Sequence, residues 1–490
     1  MAQMLINGES VDSQTKNAYH VYNPATGEIM DTAPKGDARD VDAAVDAAER
    51  AFPKWWATPA AKRGEIVAQG ARKILEHEEE LSRLLTSEQG KPLREAKLEV
   101  RRFAHTLEHY AGLSKNLRGG YVPNLDENKF GIILKRPIGV VASIVPWNFP
   151  LSLLGNKIAP ALVAGNTVVV KPASTTPLTD IRAIQILNEA GLPPGVLNIV
   201  TGPGATVGEA ILAHPKIRKI GFTGATETGR HVMKTAAETI KRVTLELGGS
   251  DPLIVCNDAN LEQAASAASV GRFFNCGQAC LAVKRVFVFD SVADKFIALM
   301  IAKAPKLRVG NGMEKGVLVG PMHTASQREE VEMQIEDARA RGAKILYGGM
   351  RPTGDGFDKG NYLMPTLLTD VDPEAKILRE EVFGPALPIV RVKNIDEAIA
   401  RANDSIYGLG SSIWTSDLNM AMRAAEQLEA GYTWINSAQV IYDELPFGGF
   451  KQSGVGKEHG IEALDHYMES KAVVVGTNIA AKEETDYRGE

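Results

Sequence analysis

Two residues in this chain pair a nucleophile with a base. Cys280 closes the segment Phe273-Phe274-Asn275-Cys276-Gly277-Gln278-Ala279-Cys280, a short polar turn ahead of the β-rich run Val283 to Phe289. A loop that feeds a strand can leave a thiol both accessible and able to ionise, which catalysis requires. Glu246 stands in Leu245-Glu246-Leu247-Gly248-Gly249, a lone carboxylate in an apolar run that ends in paired glycines. A sulfur nucleophile and a carboxylate in dry surroundings suit covalent catalysis followed by base-assisted hydrolysis.

A phosphate-bearing ligand has candidate contacts as well. The stretch Gly221-Phe222-Thr223-Gly224-Ala225-Thr226-Glu227-Thr228-Gly229 follows an expected strand and opens an expected helix. Unpaired amides and the helix dipole favour an anion there, although a tight turn with no ligand has the same glycines. The stretch from Gly202 to Gly208 is one residue too long for a Gly-x-Gly-x-x-Gly fingerprint. Lys171 ends a buried strand and either reaches ribose or phosphate or is simply solvated. Cys276 reads as a small packing residue or a resolving thiol, and Cys256, after Leu253-Ile254-Val255, as buried and inert. Trp147 and Phe149, on either side of Asn148, fit contact with cofactor or substrate at least as well as a core.

These groups need positioning elements. Residues 40–113 carry helical spacing, and 118–138 read as an extended, projecting hairpin. From 139 short apolar strands alternate with helices, which predicts a doubly wound parallel sheet that binds ligands at the carboxyl ends of its strands. A second α/β block runs from about 250 to 445. The strand at Ala472 to Val475 has no hairpin neighbour in sequence and is expected to extend another sheet edge, including one in a second subunit. The charged tail from Ala480 to Glu490 is expected to fray.

Composition narrows the function classes. The 490 residues are 44% hydrophobic with a formal net charge of −5, so several domains are expected and no basic field for nucleic acid exists. Three cysteines at irregular spacing are no disulfide framework and point to a reducing, cytoplasmic setting. No signal peptide or membrane span is expected at the sequence level, and no cluster has metal-ligand spacing.

In chain order the sequence also carries Pro146-Trp147-Asn148-Phe149-Pro150, Lys171-Pro172-Ala173-Ser174, Phe222-Thr223-Gly224, Glu246-Leu247-Gly248-Gly249, Gly277-Gln278-x-Cys280, Glu381-Val382-Phe383-Gly384-Pro385 and Pro446-Phe447-Gly448-Gly449-Phe450-Lys451-x-Ser453-Gly454. With these motifs the chain resembles the NAD(P)-dependent aldehyde dehydrogenase superfamily along nearly its whole length. The resemblance implies an α/β fold of three parts. They are a Rossmann-like cofactor domain (1–117 and 139–249), an α/β catalytic domain (250–446) and a small β oligomerisation domain (118–138 and 466–490). It implies a homo-oligomer, dimer or tetramer, joined through the C-terminal strand.

Carried over by motif, Cys280 resembles the family's nucleophile, Glu246 its general base and Asn148 its oxyanion-hole side chain. Contacts to NAD or NADP are implied at Ile144, Pro146, Trp147, Lys171, Ser174, Gly204, Phe222, Thr223, Gly224, Ala225, Gly229, Leu247, Glu381 and Phe383. Glu381 would hold the nicotinamide ribose. Phe149, Asn156, Phe274, Ala279, Leu281 and Ile441 would line the path of a small-molecule aldehyde.

The departures from the family pattern bear on specificity. Many NAD-preferring relatives carry glutamate at the Ser174 position; serine removes that repulsion and can donate, which implies that NADP is accepted, alongside NAD. Ala225 removes one hydroxyl donor after the glycine. Succinate-semialdehyde members use arginines at what are here Asn156 and Phe274. The expectation is therefore a small aliphatic or hydroxylated aldehyde, such as lactaldehyde or glyceraldehyde, with Asn156 bonding a hydroxyl, capping a backbone group or facing solvent. A semialdehyde is the alternative. A cysteine hydrolase would need a histidine base, and none of the nine histidines falls in these motifs. A non-catalytic member of the fold would be expected to have lost Cys280 or Glu246.

Overall fold

In the computed structural model, residues 2–477 apart from Ala438 are described; the charged tail and most of the last expected segment lie outside them. The helical region resolves into four helices, Ala38–Ala57, Ala60–Glu76, Glu78–Gln89 and Leu93–Leu113. The first starts with a capping box: Asp37 accepts from Arg39 N, and Asp40 accepts from Asp37 N at 2.9 Å.

The alternating block forms an eight-stranded sheet. Its order is Glu9–Val11, Met4–Ile6, Leu197–Ile199, Thr167–Lys171, Val140–Ile144, Ile217–Thr223, Arg242–Glu246 and Gly454–Val455. The five central strands run parallel. Alternate side chains enter two separate cores: Val141, Val168 and Val170 on one face, Val140, Ala142 and Val169 on the other. Both faces are buried, which is why these strands read as continuous apolar runs. The N-terminal strands join antiparallel beside Leu197–Ile199. Strand order reverses between Val140–Ile144 and Ile217–Thr223, so a crevice opens past their carboxyl ends.

The second block is a seven-stranded sheet ordered Lys344–Tyr347, Thr366–Thr369, Ala386–Val392, Val283–Phe289, Asp251–Val255, Gly410–Trp414 and Tyr432–Ile435. Cys280, Glu381 and Tyr407 precede its strands, so this sheet offers the amino ends of its strands to the crevice. The rule of ligands at carboxyl ends therefore holds for the first sheet only.

The projecting hairpin is Gly120–Asp126 and Lys129–Pro137. The strand Met468–Gly476 is not isolated: it pairs antiparallel with Lys129–Pro137 over its full length, from Met468↔Pro137 to Gly476↔Lys129. Its other edge has no strand partner among the described residues.

Candidate active site

Asn148 follows the first crevice strand, and Gly224 and Ala225 follow the second. With Cys280, Glu381 and Phe383 from the second sheet they line one cleft of about 510 Å³. Pro146, Trp147, Thr223, Leu247 and Gly248 complete the walls already singled out in sequence.

The cysteine loop is held from all sides. Asn275, Cys276 and Gly277 are consecutive left-handed residues with φ of 50°, 55° and 74°, a conformation that persists only when its surroundings enforce it. Asn275 N donates to Glu95 Oε2 at 2.8 Å, and its side-chain amide donates to Asn148 O and Gln278 O. His323 N donates to Gln278 Oε1 at 2.8 Å. A Cβ at Gly277 would lie 2.4 Å from Gly384 O, so only glycine fits. Asn148 Nδ2 donates to Gln278 O at 3.1 Å, which fixes that amide beside the thiol and leaves its second N–H for a developing oxyanion.

Cys280 is partly exposed to the cleft. Burial pushes its thiol up to about 12; Lys284 opposes this, while Glu381, Asp251 and Glu246 add to it. The resting sulfur is therefore a thiol whose proton leaves on attack. Cys276 is buried with its sulfur 3.7 Å from Met322 Sδ, which fits the packing reading. Cys256 is fully buried.

Glu246 ends its strand and is buried, and neither carboxylate oxygen has a hydrogen-bond partner among the described residues. Burial, then the charge of Glu458, raises its pKa well above the usual carboxylate range, against Lys157 and Lys457. Leu247 and Gly248 line the cleft, whereas the Glu246 side chain lies beneath it; a Cβ on Gly448 would come 2.8 Å from Oε1. That orphaned acid suits a base that works through water.

The chain's own groups fit a dinucleotide. The helix Thr226–Ala237 begins at Ala225 with no side-chain cap, so its first amides face the cleft unclaimed. Gly229 lets Leu247 pack close, since a Cβ there would lie 2.4 Å from the end of the Leu247 side chain. Glu381 is on the wall with one oxygen held by Gly249 N at 3.0 Å. Trp147 meets Phe383 edge-on at 5.6 Å and stacks on His323 at 4.5 Å.

Lys171, Ser174 and Gly204 lie outside the cleft lining, past the strand ends beside the 202–208 turn. Burial lowers Lys171 to about 8. Ser174 Oγ donates to Gly202 O at 2.8 Å, so its proton is already engaged and the hydroxyl offers lone pairs rather than the expected donor. Ile144 and Phe222 pack into the core under the cleft instead of lining it.

Along the substrate side, Phe149 and Phe274 stack with centroids 6.1 Å apart. Ala279 is buried, while Leu281 and Ile441 are partly exposed. Asn156 does not face solvent. The residue is buried, and Nδ2 donates to Glu458 Oε2 at 3.1 Å, beside the Lys157–Glu458 ion pair.

Sequence reasoning missed Glu458, His323 and Lys284. The first two sit far along the chain from the groups they touch. Lys284 left a signal: a lysine and an arginine, Lys284-Arg285, within an apolar strand must find buried partners.

Two α/β sheets meeting over a cysteine, with an uncapped helix N-terminus and a carboxylate on the same cleft, fit a cofactor-dependent oxidoreductase class. The sequence model of the aldehyde dehydrogenase family matches residues 10–473; the chain belongs to that family and is an NAD(P)-dependent aldehyde dehydrogenase. It is 40% identical to a succinate-semialdehyde dehydrogenase [NADP(+)], GabD, of Escherichia coli, covering 97% of this chain and 98% of that one. It is 41% identical to a phenylacetaldehyde dehydrogenase of Pseudomonas fluorescens, covering 96% and 95%. A crystal structure of betaine aldehyde dehydrogenase from Staphylococcus aureus in complex with NAD+ superposes with a TM-score of 0.96. It is 37% identical and covers 100% of this chain and 96% of that one.

Proposed function

We propose that Cys280, Asn148 and Glu246 oxidise an aldehyde to its acid through a thioester. The observation that carries this reading is the convergence of a cleft thiol, a fixed side-chain amide and an unpartnered buried carboxylate. The Cys280 sulfur attacks the aldehyde carbon as its proton leaves. Asn148 Nδ2 and the Cys280 N–H hold the resulting oxyanion, one such donor contributing roughly 3–4 kcal/mol. Nicotinamide, when bound, would supply the hydride acceptor; Glu381 would hold its ribose and Phe383 would pack beside it. Glu246 then takes a proton from water as that water attacks the thioester; the C–S bond breaks, the sulfur regains a proton and the acid leaves.

Ser174 in place of an acidic residue supports use of NADP as well as NAD, since no carboxylate repels a 2′-phosphate. Ser174→Glu is expected to raise KM for NADP+ at least about tenfold while sparing NAD+. Negligible turnover of the parent protein with NADP+ would count against this reading.

For the substrate we favour a semialdehyde. Similarity to the Escherichia coli enzyme supports it, as does the similarity of the chain to glutarate-semialdehyde dehydrogenases. The acid end has a candidate reader other than positions 156 and 274. Arg102 shares the buried Asp443 with His105 and His459, contacts of 2.6, 2.7 and 2.7 Å, and is itself partly exposed. Asp443 lies two residues from Ile441, and His459 adjoins the Glu458 that holds Asn156. Arg102→Leu should lower kcat/KM for succinate semialdehyde by about tenfold or more and leave phenylacetaldehyde within about twofold. An equal loss on both would remove Arg102 from recognition. The stacked Phe149 and Phe274 support a second reading, an arylaldehyde, and a kcat/KM panel that ranks phenylacetaldehyde above the semialdehydes would establish it.

No helix among the described residues is long and apolar enough to cross a membrane. Three free cysteines support a reducing compartment such as the cytoplasm. The open edge of Met468–Gly476 supports pairing with a second copy, in a dimer or tetramer.

A further inference from the structure

Lys284 lies four residues after Cys280, at the start of the strand Val283–Phe289, with its side chain fully buried. Its ammonium has three donors, and each has an acceptor: Cys280 O at 2.8 Å, Gly249 O at 2.8 Å and Glu381 Oε1 at 2.5 Å. The three acceptors belong to three segments: the nucleophile loop, the turn after Glu246, and the loop that carries Glu381.

The effect on Glu381 is specific. Oε1 receives both Lys284 Nζ and Gly249 N, so that oxygen is fully committed. Oε2 lies over Gly248, where a Cβ would sit 2.4 Å away. The carboxylate is thus pinned by one oxygen and presents the other to the cleft. The same ammonium fixes the Cys280 carbonyl, and with it the start of the strand behind the nucleophile.

We propose that Lys284 is a positioning residue that locks the ribose-binding carboxylate of Glu381 and the backbone of the nucleophile into one rigid unit. This rests on the reading of Cys280 as nucleophile and Glu381 as ribose ligand. A fixed cation also bears on the thiol. The charged groups acting on Cys280 are Lys284, Glu381, Asp251 and Glu246, and Lys284 alone among them favours the thiolate. A lysine that only filled space would leave both cofactor affinity and thiol acidity unchanged when replaced by a neutral residue of similar length.

The test measures the KM for NADP+ and the pH dependence of Cys280 alkylation by iodoacetamide, with the labelled peptide mapped by mass. Lys284→Gln is expected to raise KM roughly tenfold or more. It should also move the alkylation midpoint up by about one unit, so that labelling at neutral pH is about tenfold slower. Lys284→Arg should recover part of both. Glu381→Gln guards against a folding defect, because it leaves Lys284 in place: KM should rise, while alkylation should become faster as an anion beside the thiol is lost. A natively melting Lys284→Gln with parental KM and alkylation profile would overturn the proposal, as would Glu381→Gln with unchanged alkylation. Failure of the underlying reading looks different: labelled Cys280 with full turnover would remove Cys280 as nucleophile, whatever Lys284 does.

Discussion

Replacing Cys280 with alanine is expected to lower aldehyde-dependent reduction of NAD(P)+ by roughly 10⁴-fold or more, the scale seen when a covalent nucleophile is deleted. The reason is electronic. A free aldehyde carbon holds its hydrogen on a trigonal centre with no electron pair to expel it as hydride. Bonding to sulfur makes the carbon tetrahedral and places negative charge on the oxygen, and that charge drives the hydride out. Nothing else on the cleft wall supplies a thiol: Cys276 is buried against Met322, and Cys256 is buried in another core. The cleft itself should survive, because Asn148 is held by the backbone of Gln278 and the loop by Glu95 and His323, none of which needs the sulfur. Cofactor binding, followed by fluorescence titration, should therefore be unchanged. Cys276→Ala provides the contrast, with a stability loss of about 1 kcal/mol from the small cavity and turnover within a few-fold of the parent.

Glu246→Gln is expected to lower steady-state turnover by about 10²- to 10⁴-fold, the usual contribution of a positioned base, while leaving the first hydride transfer largely intact. Glutamine should fit. The carboxyl oxygens have no partner among the described residues, and burial raises the group's pKa above the ordinary carboxylate range, so a neutral amide of the same shape suits the same surroundings. The variant loses only the capacity to accept a proton from water. Stopped-flow absorbance should then show a burst approaching one reduced cofactor per site, followed by a slow phase. The raised pKa also sets the sign of the pH effect. Only the deprotonated acid works as a base, so deacylation in the parent should speed up as pH rises through that pKa. This rise should vanish in the variant. For stability the sign is opposite: a carboxyl with a raised folded-state pKa favours folding at low pH, and that contribution is lost as pH rises through the folded value.

Much of this site was legible because its chemistry is local. Cys280 and its loop, Glu246 before paired glycines, and Gly224 at a strand-to-helix junction are each written in a few adjacent residues. Two-faced burial made the parallel strands readable as apolar runs, and the hairpin at 120–137 stood out by its change of period. What stayed hidden depends on separation in sequence. The strand Met4–Ile6 pairs with Leu197–Ile199, and nothing in three residues encodes a partner so distant. Asn156 carries a polar amide that suits a tunnel as well as a core, and its partner Glu458 comes from the far end of the chain. Nothing near Ser174 in sequence shows that its hydroxyl is engaged, because its acceptor, Gly202 O, is a backbone atom 28 residues away. The C-terminal strand was expected to reach for a remote edge, and it also has a full partner in its own chain.

The central claim is that catalysis passes through an acyl group on Cys280, and peptide mass spectrometry with fragmentation, which separates Cys280 from Cys276, tests it most directly. Glu246→Gln is mixed with NADP+ and succinate semialdehyde, quenched in acid within the burst, and digested. The account predicts a stoichiometric acyl adduct on the Cys280 peptide that appears with the reduced cofactor and is absent without NADP+. Burst formation of reduced cofactor with no adduct, or with an adduct on Cys276, would contradict it.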